Sequence, residues 1–127
     1  MDRRDFIYRG TGLVAGGMLL NLAPLKLFSQ NTYPDLCKVK STDYYNATLR
    51  AVHELGGINR FVPAGARVGF LINSGFEEPG TYPDPDIALA LLFLCWEAGA
   101  GEIVMLQPVL TEYWKRSDKF DKHRFII

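Results

Sequence analysis

The sequence predicts an α/β fold, with βαβ units of the three-layer type around a small parallel sheet, and three observations carry that reading. Arg67-Val68-Gly69-Phe70-Leu71-Ile72 is a short apolar run behind the turn residues Pro63-Ala64-Gly65. Asp84-Pro85-Asp86 marks a helix start, and every residue from 87 to 96 after it is apolar. Glu102-Ile103-Val104-Met105-Leu106-Gln107 is a second strand-like run, set off by Glu97-Ala98-Gly99-Ala100-Gly101. Strand, long loop, helix, glycine turn and strand make a βαβ unit, which implies parallel strands joined by a right-handed crossover.

The elements follow in chain order. Residues 31–35 read as a polar linker containing Pro34. Residues 36–40, Leu-Cys-Lys-Val-Lys, alternate apolar and polar side chains, the period of a half-exposed strand. Ser41 or Thr42 can cap a helix over about 43–55, where Tyr45, Leu49, Val52 and Leu55 fall on one stripe. Gly56-Gly57 ends it, because glycine takes the left-handed conformation a helix C-terminus needs. Residues 58–61 read as a short turn packing back on that helix. The apolar segment 87–96 is too short for a bilayer, which needs about 20 residues, and reads as a helix buried on most sides. Residues 111–116 begin another helix, with Tyr113 and Trp114 as packing residues, and a charged stretch follows. Phe125-Ile126-Ile127 opens an apolar run with strand character, so the segment reads as part of a larger, truncated α/β domain or as a short edge strand.

Composition narrows the classes. The chain has 14 Lys+Arg against 14 Asp+Glu. Its first thirty residues hold Arg3, Arg4, Arg9 and Lys26 against Asp2 and Asp5, so the rest carries a net charge of about −2. No basic surplus points to nucleic acid. The two cysteines, Cys37 and Cys95, cannot supply the four thiolates of an iron–sulfur cluster. A disulfide between them is permitted in an oxidising compartment, but Cys95 lies in the apolar helix and reads as a small buried hydrophobe. His53 on the first helix and His123 in the charged tail read as surface or core-edge residues, without a nucleophile beside them in sequence.

Chemistry is expected in residues 73–86. In parallel sheets, ligands bind beyond the carboxyl ends of the strands, where loops run into helix N-termini. This loop is long for its type, and Asn73, Ser74 and Thr81 are its candidate ligand-binding residues. It holds no basic residue, and Asp84 occupies the helix N-terminus that would attract an anion, which argues against a phosphate cradle. Glu77, Glu78 and Asp84 are instead candidate oxygen ligands for a divalent cation. Asp84 and Asp86 also have a complete structural reading as helix cap and dipole partner. A functional loop and a solvated surface loop both fit, and no catalytic constellation emerges.

Two resemblances add an address and a fold. Asp2-Arg3-Arg4-Asp5-Phe6-Ile7, followed by a weakly apolar run over 11–25 and then Lys26, resembles the twin-arginine export signal of bacteria, with Arg3, Arg4 and Phe6 as its marks. The resemblance divides the chain into a signal over 1–30 and an α/β domain over 31–127. It implies the twin-arginine translocation machinery as partner, a periplasmic or extracytoplasmic destination for a prefolded protein, and membrane attachment only through an uncleaved signal. Arg67-Val68-Gly69-Phe70-Leu71-Ile72-Asn73, Asp84-Pro85-Asp86-Ile87-Ala88 and Trp96-Glu97-Ala98-Gly99-Ala100 are similar to the N-terminal half of domain-of-unknown-function family 362. There the first strand ends in Lys-Pro-Asn, and only Asn73 carries over. Some members append ferredoxin-type cysteine clusters, so the family implies a metal or redox cofactor held through loop 73–86. The alternative is a non-catalytic periplasmic protein that binds a ligand or a partner.

Overall fold

The computed structural model describes residues 32–123; the export-signal reading on Arg3, Arg4 and Phe6 and the apolar run at 125–127 lie outside them. Helix α1 spans Tyr44–Glu54. Its N-cap is Asp43, whose carboxylate accepts from the Asn46 N–H at 3.0 Å. Ser41 and Thr42, the expected caps, stand too early. Ser41 Oγ instead accepts from the Asp43 N–H and steadies the cap residue itself. A 3-10 turn covers Ile58–Arg60, strand β1 is Arg67–Phe70, helix α2 is Pro85–Glu97 and strand β2 is Glu102–Met105. Two single-turn helices follow, α3 at Thr111–Trp114 and α4 at Phe120–His123.

Both long helices stop on glycine in the same way. Gly56 (φ 102°) and Gly99 (φ 77°) take the left-handed conformation. The N–H of the next residue, Gly57 or Ala100, then reaches back to the carbonyl of Val52 or Cys95. The start of α2 matches its sequence signal: Asp84 accepts from the Asp86 N–H at 2.9 Å and Pro85 opens the helix.

The class is mixed α/β with a small parallel sheet. β1 pairs with β2 in parallel, Arg67 opposite Glu102 and Phe70 opposite Met105. Glycines zip the turns ahead of the two strands together: Gly65 N–H donates to Gly99 C=O and Gly101 N–H to Ala66 C=O. At Gly101 a side chain could not fit, since an added Cβ would lie 2.8 Å from the Gly65 carbonyl oxygen.

The expected first strand at 36–40 is absent: these residues are irregular, and the sheet of the described residues has two strands. The alternation survives without the pairing. Cys37 and Val39 are half-buried and Leu36, Lys38 and Lys40 exposed, because the segment lies beside α1 and not beside a strand. Cys37, Val39, Tyr44, Ala51, Val52 and Ile87 line a shallow groove of about 340 Å³ there.

The core forms on one sheet face. Leu89, Ala90 and Leu92 of α2 are fully buried, together with Tyr45, Ile72, Ala88, Tyr113 and Trp114. Phe70, Ile103 and Met105 pack against them from the sheet, and α1 packs along α2. Trp96, counted in the expected buried stretch, is half exposed at the last turn of α2. Of the α1 stripe only Tyr45 is buried; Leu49, Val52 and Leu55 are half-covered. Gly69, Leu71 and Leu106 face the other way, with Leu71 71% and Leu106 62% exposed. Among the described residues the architecture therefore has two layers, not three.

Candidate functional site

The carboxyl ends of both strands meet at the predicted place. Past β1 the chain buries Ile72 and Ser74 and exposes Asn73, the period-2 pattern carried two residues beyond the ladder. Past β2, Gln107 reaches across and its side-chain amide donates to the Ile72 carbonyl. Asn73 Nδ2 lies 3.4 Å from the Thr81 carbonyl oxygen and so ties the two ends of the loop. Thr81 closes a turn, its N–H and hydroxyl both donating to the Glu78 carbonyl.

The candidate residues thus divide. Asn73 and Thr81 come together, and Ser74 lies buried beside them in the chain. The hydroxyl of Thr81 is occupied within its turn. Glu77 and Glu78 are exposed and Asp84 is half-buried as the cap of α2. Among the described residues no three His, Cys, Asp or Glu side chains gather as a metal-holding group. Cys37 and Cys95 are free thiols, half-buried and buried respectively, and burial pushes the Cys95 thiol up. Among the described residues this donor set does not fit a resident metal ion or iron–sulfur cluster.

The largest surprise of the site is the arm formed by α3, α4 and the turn between them. The loop holds no cation of its own, yet the arm brings one. Arg116 lays its guanidinium 4.3 Å from the centroid of the Tyr82 ring and 6.0 Å from that of Tyr113, and donates to the Phe76 carbonyl at 3.3 Å. Tyr113 is buried edge-on against Tyr82 and its hydroxyl donates to the Pro83 carbonyl at 2.8 Å. Burial and the nearby Asp84 carboxylate push the Tyr113 phenol up to about 12.

A second fastening lies at the first turn of α2. Asp86 accepts from Ser117 Oγ on one oxygen and from Lys119 Nζ, at 2.7 Å, on the other. Hydrogen bonds to Asp86 and Asp118 hold the Lys119 ammonium well above the usual lysine range. The third fastening is His123. Expected as a surface or core-edge residue of a charged tail, it is 2% exposed: its Nε2 lies 2.9 Å from Tyr45 Oη, and the two rings stack at 5.3 Å. Phe93 of α2 covers it from another side.

Tyr82, Gln107, Tyr113, Arg116 and His123 thus shape the region, and no motif announced them. Their partners are 30 to 78 residues away, too far for any local spacing to show. The described residues also line a cavity of about 450 Å³ with Thr111, Lys115, Ser117 and Phe120, on the arm and not over the strand ends. No helix among the described residues is long and apolar enough to cross a membrane. Compared with protein-family models, curated proteins and solved structures, the chain matches none.

Proposed function

We propose that this chain is an exported, non-catalytic α/β binding protein that holds a small polar molecule at the carboxyl ends of β1 and β2. The observation that supports it best is that three polar side chains from separate segments each donate to the strand-end stretch over 72–81: Asn73 to the Thr81 carbonyl, Gln107 to that of Ile72 and the exposed Arg116 to that of Phe76. Asn73 and Gln107 offer amide donors and acceptors, and Arg116 offers a planar fork suited to a carboxylate. A loop already braced by hydrogen bonds binds with little ordering cost. The described residues contain no nucleophile–base pair at the loop, which favours binding over turnover in this reading. The scattered carboxylates Glu77, Glu78 and Asp84 favour an organic ligand over a resident cation.

The test is native mass spectrometry of protein purified from cells that export it. A small molecule bound one-to-one, lost in the Asn73→Ala/Gln107→Ala double variant with the fold intact, is the expected result. A stoichiometric metal or chromophore retained in that variant would replace this reading with the cofactor one. Export is tested separately by changing Arg3 and Arg4 to Lys; precursor accumulating in the cytoplasm is expected, and undiminished export refutes the twin-arginine route.

A further inference from the structure

We propose that the outer face of the sheet is a self-association surface, on which a second copy of this chain lays its own two strands about a twofold axis parallel to them. Parallel sheets are ordinarily covered on both faces. The helices cover one face here, and among the described residues the other stays open at Leu71 and Leu106.

The pairing across the strands identifies the occupant. Three cross-strand pairs make up this face. Arg67 lies opposite Glu102 and Gly69 opposite Val104. Leu71 and Leu106 continue that register one step past the ladder, where the Leu106 N–H donates to the Phe70 carbonyl. Leu106 lies over Gly69, its methyl carbons 3.1 and 3.2 Å from where a Cβ would stand, so the apolar part is a level floor.

Each pair is complementary within itself: cation with anion, the smallest residue with a branched one, leucine with leucine. A twofold axis along the strands sets β1 of one copy over β2 of the other and keeps their direction. Arg67 then meets the partner's Glu102, Gly69 the partner's Val104 and Leu71 the partner's Leu106, and each contact occurs twice. A twofold axis across the strands would instead lay Arg67 on the partner's Leu71, a charge against an apolar side chain. The charges therefore select one of the two symmetries and fix its register. Their side chains are 72% and 51% exposed, so the pairing sits at a wet rim and costs little desolvation. Stable interfaces bury about 800 Å² on each partner, more than a face of two strands offers. The dimer is accordingly weak, with a dissociation constant on the order of 100 μM.

Sedimentation velocity of the full chain from about 10 μM to about 1 mM tests this, a range that brackets that constant. Reversible dimers are expected for the unaltered protein. Arg67→Glu makes the rim of the face acidic and Glu102→Arg makes it basic, and each alone should weaken association at least tenfold. An equimolar mixture of the two variants should associate again as a heterodimer, because every rim charge then meets its opposite on the other copy. Leu71→Lys/Leu106→Lys should leave monomers at every concentration. Association through a strand edge or any other surface would ignore these charges. Monomers only in the unaltered protein, association undiminished in either single variant, or no recovery in the mixture would overturn the proposal.

Discussion

Lys119 places its ammonium 2.7 Å from the carboxylate of Asp86, a residue thirty-three positions earlier in the chain. Both side chains are largely covered, 28% and 15% exposed, and Ser117 donates to the same carboxylate. Asp86 therefore has two duties, an acid in the first turn of α2 and the anchor of the arm. Asp86→Asn should lower unfolding stability by about 1.5 kcal/mol, the loss of a partly buried charge-assisted pair. Urea denaturation checks it. Lys119→Met should cost less, because its apolar stem still covers the site.

Arg116 bridges two segments without an ion pair. Arg116→Met keeps the stem and removes the guanidinium from Tyr82 and the Phe76 carbonyl. Loss of about 1 kcal/mol is expected. Exchange protection of the loop over 73–83 should fall, while β1 and β2 hold theirs. If the loop stays equally protected, Asn73 and Thr81 alone hold it.

The core prediction is larger. Leu89 is fully buried at the centre of α2, so Leu89→Ala should remove about 3 kcal/mol by lost burial plus cavity formation. In a domain this small that is a large part of the total. A lowered denaturation midpoint with an unchanged slope is the expected signature.

Alkaline pH probes the tyrosines. The Tyr113 phenol titrates at about 12 in the fold, against 10.0 for an ordinary tyrosine. Between those values the folded state holds the extra proton, so stability falls as pH rises through that window, by about 3 kcal/mol. Burial pushes the Tyr45 phenol up as well, so it adds to the same decline. Tyr113→Phe should cost about 1 kcal/mol at neutral pH through its lost bond to Pro83 and make the alkaline decline shallower, leaving the shares of Tyr45, Cys95 and Lys119, whose protons the fold also holds. Thermal melts across pH 9 to 12 read this directly.

Gly101 has no unusual torsion and is still irreplaceable in shape. Gly101→Ala would press a methyl against the Gly65 carbonyl oxygen, a backbone atom that cannot swing aside. Destabilisation of about 2 kcal/mol is expected, whereas Gly75→Ala, with open space around it, should be nearly neutral.

What the sequence disclosed follows from how far each interaction reaches. The βαβ frame rests on local signals: the Asp84-Pro85-Asp86 cap, the apolar run after it, and glycines at the helix ends. All three survive in the structure. The segment over 36–40 misled because alternation reports one covered face, and α1 can cover a face as well as a sheet neighbour can. The loop was placed correctly because chain direction alone puts it at the strand ends. Its bracing by Arg116 and the burial of His123 were invisible, because Tyr45 and His123 are seventy-eight residues apart and nothing in a charged tail marks one residue as buried.

The outer face of the sheet has a practical use. Leu71 and Leu106 stand opposite the core-facing row, outside every hydrogen bond that shapes the loop and the arm, with Arg67 and Glu102 paired on the same face at 2.7 Å. Lysine or glutamate at those two leucines should leave folding and the strand-end chemistry untouched while raising solubility. A spectroscopic label placed there would watch the strand-end loop and the arm from a surface that takes no part in either.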